Sequence, residues 1–188
     1  TSGKIIFEGR DITHTSVNER LQYISYIPDD RMRFGVHSEL PIYLNMVIKD
    51  LKSFTYLRFL FSHDKAVQDT KKMASLLDLK YKDVKDPASW LSGGNIQKLI
   101  ITRELHRNSK IIVAVQPTAG LDYRTTINVW RKLIEEKQKG RSILLISYDL
   151  DEALSISDRV AVLREVRIVK QYNNFKDIYV RYLIAYML

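Results

Sequence analysis

The chain contains the stretch Leu91-Ser92-Gly93-Gly94-Asn95-Ile96-Gln97-Lys98, in which a serine and two glycines precede a polar run. A Ser-Gly-Gly turn at the start of a helix leaves backbone N–H groups free and places the positive end of the helix dipole beside them. Two glycines let a phosphate approach the backbone closely, and the Ser92 hydroxyl can cap the helix. The stretch therefore predicts a helix that begins here and can bind an anion at its first turn.

A second motif follows further along the chain, after a short apolar run. The run 111–115 has the character of a buried parallel strand, and Gln116-Pro117-Thr118-Ala119-Gly120-Leu121-Asp122 comes directly after it. The two motifs together resemble the signature motif and the Walker B and D-loop region of the ATP-binding-cassette ATPases. The form with Asn95 and Gln97 resembles the second ATPase half of importers for simple sugars or nucleosides. The resemblance covers nearly the whole chain and implies a P-loop NTPase-type fold.

The composition is that of a globular domain. The chain has 188 residues, of which 45% are hydrophobic and 28% charged, and this suits one domain with a core. It has no cysteine, which excludes disulfides and thiolate metal sites, and its four histidines show no metal-ligand spacing. Basic and acidic residues are interspersed behind the net charge of +8, a pattern that favours solubility or attraction to phosphate and disfavours nucleic-acid binding. No apolar run is long enough to span a membrane, and because the first residue is Thr1 we expect further sequence before it.

The apolar pattern predicts an α/β domain with a parallel sheet, because strands alternate with crossover helices. We expect strands over 4–8, 23–27, 111–115 and 142–146, helices over 15–20, 94–106, 123–139 and 149–156, a small antiparallel β element over 160–163 and 166–170, and a terminal helix from about Phe175. The runs 111–115 and 142–146 are expected to be buried strands. The glycine-free segment 41–85 favours helices throughout. We therefore divide the single domain 1–188 into an α/β core, 1–40 and 91–188, and an inserted helical subdomain, 41–90.

The resemblance also implies an element that this sequence lacks. A phosphate-loop ATPase needs a glycine-rich loop ending in Lys-Ser or Lys-Thr, which cradles the phosphates and helps to hold Mg²⁺. Of the seven glycines only Gly3 is followed by lysine, and Ile5 comes next. In the family this Walker A loop lies shortly before a stretch like Thr1-Ser2-Gly3-Lys4-Ile5. We therefore expect a segment that starts just after the Walker A loop, with a sheet truncated at its N-terminal side.

Four positions that would act on the chain's own nucleotide depart from the family pattern. Val115 and Gln116 stand where the family has the Asp of the Mg²⁺ shell and the Glu that polarises the attacking water. Valine cannot hold the shell of a cation, and glutamine cannot accept the proton of a water. Asp29, in the turn Pro28-Asp29-Asp30-Arg31, and Tyr148 stand where the family has an Mg²⁺-sensing glutamine and a switch histidine. We predict no intact catalytic residue and no metal ligand.

The family's head-to-tail dimer gives the retained signature motif a role. In that dimer each nucleotide lies between the phosphate loop of one half and the signature motif of the other. The resemblance implies that this chain supplies its signature to ATP bound by an intact first half, while its own site is degenerate. The nucleotide-binding residues would be Ser92, Gly93, Gly94, Asn95, Gln97 and Asp122, with Leu121 beside Asp122 in the D-loop. ATP and Mg²⁺ belong to the complete assembly; the segment alone is predicted to be inactive, and the sequence leaves open whether it binds ATP.

A membrane partner is implied as well. In the family a cytosolic helix of the transmembrane permease docks between the sheet and the helical subdomain, so the ATPase lies peripherally at the cytoplasmic face of the cell membrane. The matching segments are 29–36 and 41–46, and their apolar residues either line this groove or belong to the core: Phe34, Val36, Leu40, Ile42 and Tyr43. A truncated sheet would expose apolar surface, which makes a homodimer of the segment plausible. No nucleic-acid partner is predicted.

Three alternatives stay open at the level of the sequence. The ATPase head of a nucleic-acid-handling protein would insert long coiled coils, and this chain has no sustained heptads. A cassette protein of the translation type would usually keep the catalytic Glu. A regulatory module would have no nucleotide role at all. The transported substrate is set by the permease and an external binding protein, so it lies outside this sequence.

Overall fold

The computed structural model describes residues 3–57 and 59–173 of the chain. Within that part the two longest helices begin at side chains that cap them: Ser92 accepts from the Asn95 N–H, and Asp122 accepts from the Thr125 N–H. Six α-helices are described, α1 to α6 in chain order, and they cover Val17–Arg20, Ile42–Val47, His63–Ala74, Gly93–His106, Tyr123–Gln138 and Leu150–Ile156.

The strands of the described residues, β1 to β9, form one parallel sheet and three antiparallel pairs. They cover Ile6–Phe7, Arg10–Asp11, Ile24–Ile27, Thr55–Tyr56, Leu60–Phe61, Ile111–Val115, Ser142–Ile146, Val160–Arg164 and Arg167–Tyr172. The central parallel sheet has the order β3-β6-β7, and the antiparallel pairs are β1-β2, β4-β5 and β8-β9. This is the α/β architecture that the sequence predicts, with helices between successive parallel strands.

The core forms where α4 meets the central sheet. Leu99, Ile100 and Ile101 of α4 are fully buried. Ile112 and Ala114 of β6 are also fully buried, as expected for alternate residues of the middle strand. α2 and α3, both from the helical segment 41–90, pack against α4. α4 also packs against β3, so it lies between the central sheet and these two helices.

Most of the predicted core elements are confirmed. β6 and β7 have the expected bounds, α4 begins at the glycines that follow Ser92, and β8 and β9 pair antiparallel. The prediction that β7 is buried is wrong, since Leu144 is 55% and Ile146 is 45% exposed. The physical reason is position: within the described residues β7 is an edge strand, paired with β6 alone. The helix expected from Phe175 lies outside the described residues.

The segment 41–90 is mostly helical, but it contains a β-hairpin that the sequence pattern did not predict. β4 and β5 pair antiparallel in a stretch where the absence of glycine favoured helices. Leu57 has a φ of 49° and is 75% exposed, so it belongs to the turn and not to a helical face. Shorter 3₁₀ turns cover Ile48–Phe54, Ser75–Leu77 and Ala88–Trp90. Within the described part of the chain, every helix is too short or too polar to cross a membrane.

A buried ion cluster joins this helical segment to the central sheet. Glu104 of α4 is fully buried, and its Oε1 accepts from Lys49 Nζ at 2.6 Å and from Arg103 Nε at 2.9 Å. Its Oε2 accepts from Arg107 Nη1 and from the Tyr26 N–H, each at 3.2 Å. Burial alone would raise the pKa of Glu104, but attraction to Arg103 and Lys49 outweighs it, so the pKa is lowered. Desolvation lowers the pKa of Lys49 in spite of the carboxylate, which is shared among three cations.

Candidate functional site

The turn that precedes α4 presents a set of hydrogen-bond donors. The backbone bond from the Ile96 N–H to the Ser92 carbonyl, at 2.9 Å, is the first of the helix. The N–H groups of Gly93 and Gly94 come before that bond, so among the described residues no helical carbonyl precedes them to accept. The Ser92 hydroxyl oxygen accepts from the Asn95 N–H at 3.4 Å and from its Nδ2 at 3.0 Å, which leaves the hydroxyl proton free to donate. Two amides, a hydroxyl and the helix dipole therefore converge at an exposed helix end.

Asn95 and Gln97 make contacts inside the protein. Asn95 Oδ1 accepts from the Lys80 N–H at 3.0 Å. This hydrogen bond joins the segment between α3 and α4 to the signature turn, residues 92–95. Gln97 is 2% exposed, and its Nε2 donates to the Pro117 carbonyl at 2.8 Å. The structure thus places Gln97 between α4 and the turn after β6, apart from the exposed donors at Ser92. A nucleotide contact would require this amide to leave the core.

The turn after β6 lies against the signature turn. Leu121 closes it by donating its N–H to the carbonyl three residues earlier, at 3.0 Å, and Gly120 adopts a φ of +72°. A Cβ placed on Gly94 would lie 3.7 Å from Leu121 Cδ2. Asp122 caps α5, accepting from the Thr125 N–H at 2.9 Å and from its hydroxyl at 2.7 Å. These bonds, the one from the hydroxyl first, lower the pKa of Asp122, which is therefore ionised at neutral pH.

The four positions that depart from the family pattern lie at one edge of the central sheet. In a parallel sheet the carboxyl ends of the strands meet at the same edge, and β3, β6 and β7 are paired in register up to it. Asp29 follows β3, Gln116 follows Val115 at the end of β6, and Tyr148 follows β7. Asp29 is exposed and Tyr148 is 82% exposed. Asp29 is the one carboxylate among these four side chains.

Gln116 is held in an unusual conformation. Its φ of 48° lies in the left-handed region that residues other than glycine seldom adopt, and its N–H donates to the Ile146 carbonyl at 2.8 Å. Its Nε2 is buried with no hydrogen-bond partner in the described part of the chain. Strained backbone and unsatisfied buried polar atoms both cost free energy and concentrate at functional sites. The amide at this place can hold a water but cannot take its proton.

Glu152 is a buried carboxylate that the sequence pattern does not reveal. It is 1% exposed, and its Oε1 accepts from the Thr118 hydroxyl at 2.8 Å and from Trp130 Nε1 at 2.9 Å. It therefore ties the turn after β6 to α5 and α6. Asp149 caps α6, and Glu152 three residues later has the spacing of a capping box. That local signal predicts a contact of Glu152 with the start of α6. It does not predict the contacts of Glu152 with Thr118 and Trp130.

Comparison of sequences finds relatives along most of the chain, although no family model matches it. The guanosine import ATP-binding protein NupO of Bacillus subtilis is 36% identical over 176 residues, which cover 92% of this chain and 34% of that protein. The nucleoside import ATP-binding protein NupA of Lactococcus lactis is 32% identical, over 89% of this chain and 33% of that protein. The ribose import ATP-binding protein RbsA 3 of Rhizobium etli is 35% identical, over 87% of this chain and 32% of that protein. The chain spans about a third of the length of these relatives.

Comparison of structures gives the fold. A dimeric ATP-binding cassette, MJ0796, bound to ADP and phosphate in a post-hydrolysis state, superposes with a TM-score of 0.78 at 20% identity, over 92% of this chain and 74% of that one. A nucleotide-free ATP-binding cassette of an ABC transporter superposes with a TM-score of 0.74 at 23% identity, over 98% of this chain and 74% of that one. The architecture is that of an ATP-binding cassette. Together with the sequence relatives, it shows that the chain belongs to the ATP-binding-cassette family, and that its relatives include ATP-binding proteins for nucleoside and sugar import.

Proposed function

We propose that this chain is the second, non-hydrolysing ATPase half of an importer for simple sugars or nucleosides. In this function it supplies its signature turn to ATP bound by an intact first half. The observation that carries the proposal is a contrast between two ends of the same fold. Exposed donors gather at Ser92, whereas Val115 and Gln116 occupy the places of the two acids at the carboxyl edge of the sheet. The relatives named for guanosine, nucleoside and ribose import support this class of substrate.

The residues fit a terminal phosphate at the start of α4. The N–H groups of Gly93 and Gly94 and the O–H of Ser92 are donors, and phosphate oxygens accept from such groups. The chain's own site fits Mg²⁺ poorly, because this ion prefers carboxylate and water oxygens, Val115 offers no oxygen, and Asp29 is the one carboxylate among the four side chains. Groups of three possible metal ligands are also absent from the part of the chain that the structure describes. ATP, when bound in the assembly, supplies the bond that is hydrolysed, and this chain holds the terminal phosphate where negative charge develops.

A cleft beside the helical segment suits the proposed permease. It has a volume of about 210 Å³ between α2, α3 and α4, and apolar, basic and acidic side chains line it: Met46, Val47, Lys49, Asp50, Ser53, Phe54, Lys65, Asp69, Met73, Arg103, His106 and Arg107. A cleft of this volume can receive a side chain from an amphipathic helix of a membrane subunit at the cytoplasmic face. None of the five apolar residues expected to line the permease groove borders this cleft. Of those residues, Ile42 and Tyr43 belong to the core, whereas Phe34 is 57% exposed and free to contact a partner.

The test compares two serine caps. Ser92→Arg fills the signature turn with a large cation-bearing side chain, and Ser16→Arg removes the equivalent cap of α1, where Ser16 accepts from the Glu19 N–H at 3.2 Å. Each variant chain is mixed with an intact first half, and ATP hydrolysis is measured. We expect Ser92→Arg to lower the rate by about 10²–10³-fold, because preorganised donors at a developing charge are lost. Ser16→Arg should retain the rate of the unmodified chain.

Binding of a non-hydrolysable ATP analogue distinguishes the alternatives. The proposal expects binding in the mixture that exceeds the sum of the separate components, and it expects Ser92→Arg to remove this excess. Equal hydrolysis by the two serine variants would contradict the proposal. If neither the chain nor the mixture binds the analogue beyond the first half alone, the chain is a regulatory module without a nucleotide role.

A further inference from the structure

Arg31 joins three segments that lie far apart in the sequence. Its Nη1 donates to the Gly93 carbonyl at 3.0 Å and lies 3.5 Å from the Ala119 carbonyl oxygen. Gly93 is the first residue of α4, in the signature turn, and Ala119 belongs to the D-loop turn after β6. One guanidinium therefore holds both turns against the turn that follows β3.

Two glycines lie beside this guanidinium. A Cβ placed on Gly93 would lie 3.5 Å from the Cζ and Nη2 atoms of Arg31, and one placed on Gly120 would lie 3.4 Å from Nη2. Both distances are those of ordinary van der Waals contact, so the guanidinium packs along the backbone of two exposed turns. Arg31 therefore contacts the signature turn and the D-loop turn along their backbones as well as through hydrogen bonds.

The turn that carries Arg31 is anchored at both ends. Asp30 Oδ1 accepts from the Arg33 N–H at 3.0 Å and caps the π-helical turn Arg31–Gly35. At the other end Gly35 lies so close to α4 that a Cβ on it would be 2.3 Å from Ile100 Cδ1. A shift of this turn along α4 would therefore displace the guanidinium from the two carbonyls that it contacts.

We propose that Arg31 is a positioning residue that transmits the position of the Arg31–Gly35 turn to the signature and D-loop turns. The inference rests on the proposed function, since it concerns the delivery of the signature donors to the partner's terminal phosphate. The outer face of the turn is open to contact, because Phe34 is 57% exposed and carries the Arg33 guanidinium 4.9 Å above its ring. A partner that binds this turn and shifts its position would thereby shift the donors at Gly93.

Arginine is suited to this role by its shape. Both contacts come from Nη1, and the planar guanidinium fork fixes the directions of the two N–H groups on that nitrogen. A lysine ammonium keeps the charge but lacks the fork, and it forms such a two-point contact less well. The conservative Arg31→Lys variant therefore separates the effect of geometry from the effect of charge.

The first experiment measures hydrogen exchange in the 188-residue chain without nucleotide. Arg31→Ala should raise amide exchange in the two stretches 92–96 and 118–122 together, because both lose the same contact. Arg10→Ala is the matched control, since Arg10 is an exposed arginine that pairs with Glu19 at 2.6 Å, away from both turns. Unchanged exchange in either stretch would overturn the proposal.

The second experiment measures hydrolysis by the chain mixed with an intact first half, with ATP varied. Arg31→Ala should lower the maximal rate by roughly tenfold to a hundredfold, because small misplacement of donors has effects of this size. The half-saturating ATP concentration should change by less than about twofold, because Arg31 does not itself hold the nucleotide. Arg31→Lys should recover part of the rate, and Arg10→Ala should match the unmodified chain.

The outcomes separate this inference from the proposed function. If Ser92→Arg abolishes hydrolysis while Arg31→Ala behaves like Arg10→Ala, the positioning role is wrong and the proposed function stands. A parallel loss of ATP affinity in Arg31→Ala, or full recovery in Arg31→Lys, would show that the charge binds nucleotide directly and would also overturn the positioning role. If Ser92→Arg has no effect, the proposed function itself fails.

Discussion

Gly35 occupies a position where any side chain would collide with α4. A Cβ there would lie 2.3 Å from Ile100 Cδ1, and Ile100 is fully buried, so its side chain has little room to move. We predict that Gly35→Ala lowers the free energy of unfolding by about 1–3 kcal/mol, the usual cost of overpacking a core. Urea unfolding followed by circular dichroism measures this change.

A double-mutant cycle gives the control for Gly35. Ile100→Val removes the Cδ1 atom that the new methyl group would meet, at its own cost of about 0.5–1.5 kcal/mol. In that background Gly35→Ala should cost clearly less than it does alone, because the colliding atom is gone. Additive effects of the two substitutions would show that the close approach is not the cause of the destabilisation.

Single residues also show where sequence reasoning works and where it stops. Ser92 was predicted as the cap of α4, and it is, because capping depends on neighbours within one helical turn. The burial of Gln97 and the contacts of Arg31 depend on segments that are distant in the sequence, and Nε2 of Gln97 meets a carbonyl 20 residues away. Local spacing carries no information about such pairs.

At the scale of the element, α4 is stabilised through Glu104. This fully buried carboxylate accepts from Lys49, Arg103 and Arg107, so it joins α4 to the helical segment. We predict that Glu104→Gln lowers the free energy of unfolding by about 3–5 kcal/mol, because three cations lose their buried counter-charge. Glu19→Gln is the control: its exposed pair with Arg10 should contribute about 1 kcal/mol or less. Similar costs for the two variants in denaturant unfolding would contradict this account.

The same carboxylate predicts how stability depends on pH. The pKa of Glu104 is lowered in the folded chain, through its attraction to cations that outweighs burial. The contribution of Glu104 to the free energy of unfolding is therefore fully present above the pKa of glutamate in the unfolded chain, about 4.3. It is lost as the pH falls through the lower pKa of the folded chain. Urea unfolding between neutral pH and about pH 3 should show this decline. Glu104→Gln should have a shallower decline than the unmodified chain, and an identical slope in both would refute the assignment.

Elements differ in how well their sequence predicts them. The bounds of β6 and β7 were predicted because a continuous run of β-branched and aliphatic residues is bounded by polar ones. The β4-β5 hairpin was missed because the absence of glycine favoured helices there, while Leu57 adopts the left-handed φ that glycine would usually supply. The burial of β7 was also wrong, because burial depends on what lies beside a strand and not on the strand's own composition.

At the scale of the whole molecule, the fold separates two groups of residues in space. The signature donors lie at the start of α4, and the altered positions lie at the carboxyl ends of β3, β6 and β7. The D-loop turn and Arg31 connect these two regions through Gly93 and Ala119. Under the proposed function, the residues that would act on a partner's nucleotide are kept and those for the chain's own nucleotide are altered, as an asymmetric pair of ATPase halves requires.

The exposed side of β7 leads to a prediction for the isolated chain. β7 contains no charged residue, Leu144 and Ile146 are about half exposed, and within the described residues the strand pairs only with β6. An uncharged apolar edge strand is a template for pairing with a second copy. We predict that the 188-residue chain associates with itself as its concentration rises. Leu144→Lys should weaken the association constant by at least tenfold, which corresponds to a loss of about 1.4 kcal/mol at the contact. Sedimentation equilibrium measures both chains, with Val17→Lys, at a 72% exposed position on α1, as the control. Association that Leu144→Lys leaves unchanged, or that Val17→Lys weakens equally, would show that the β7 edge is not the contact.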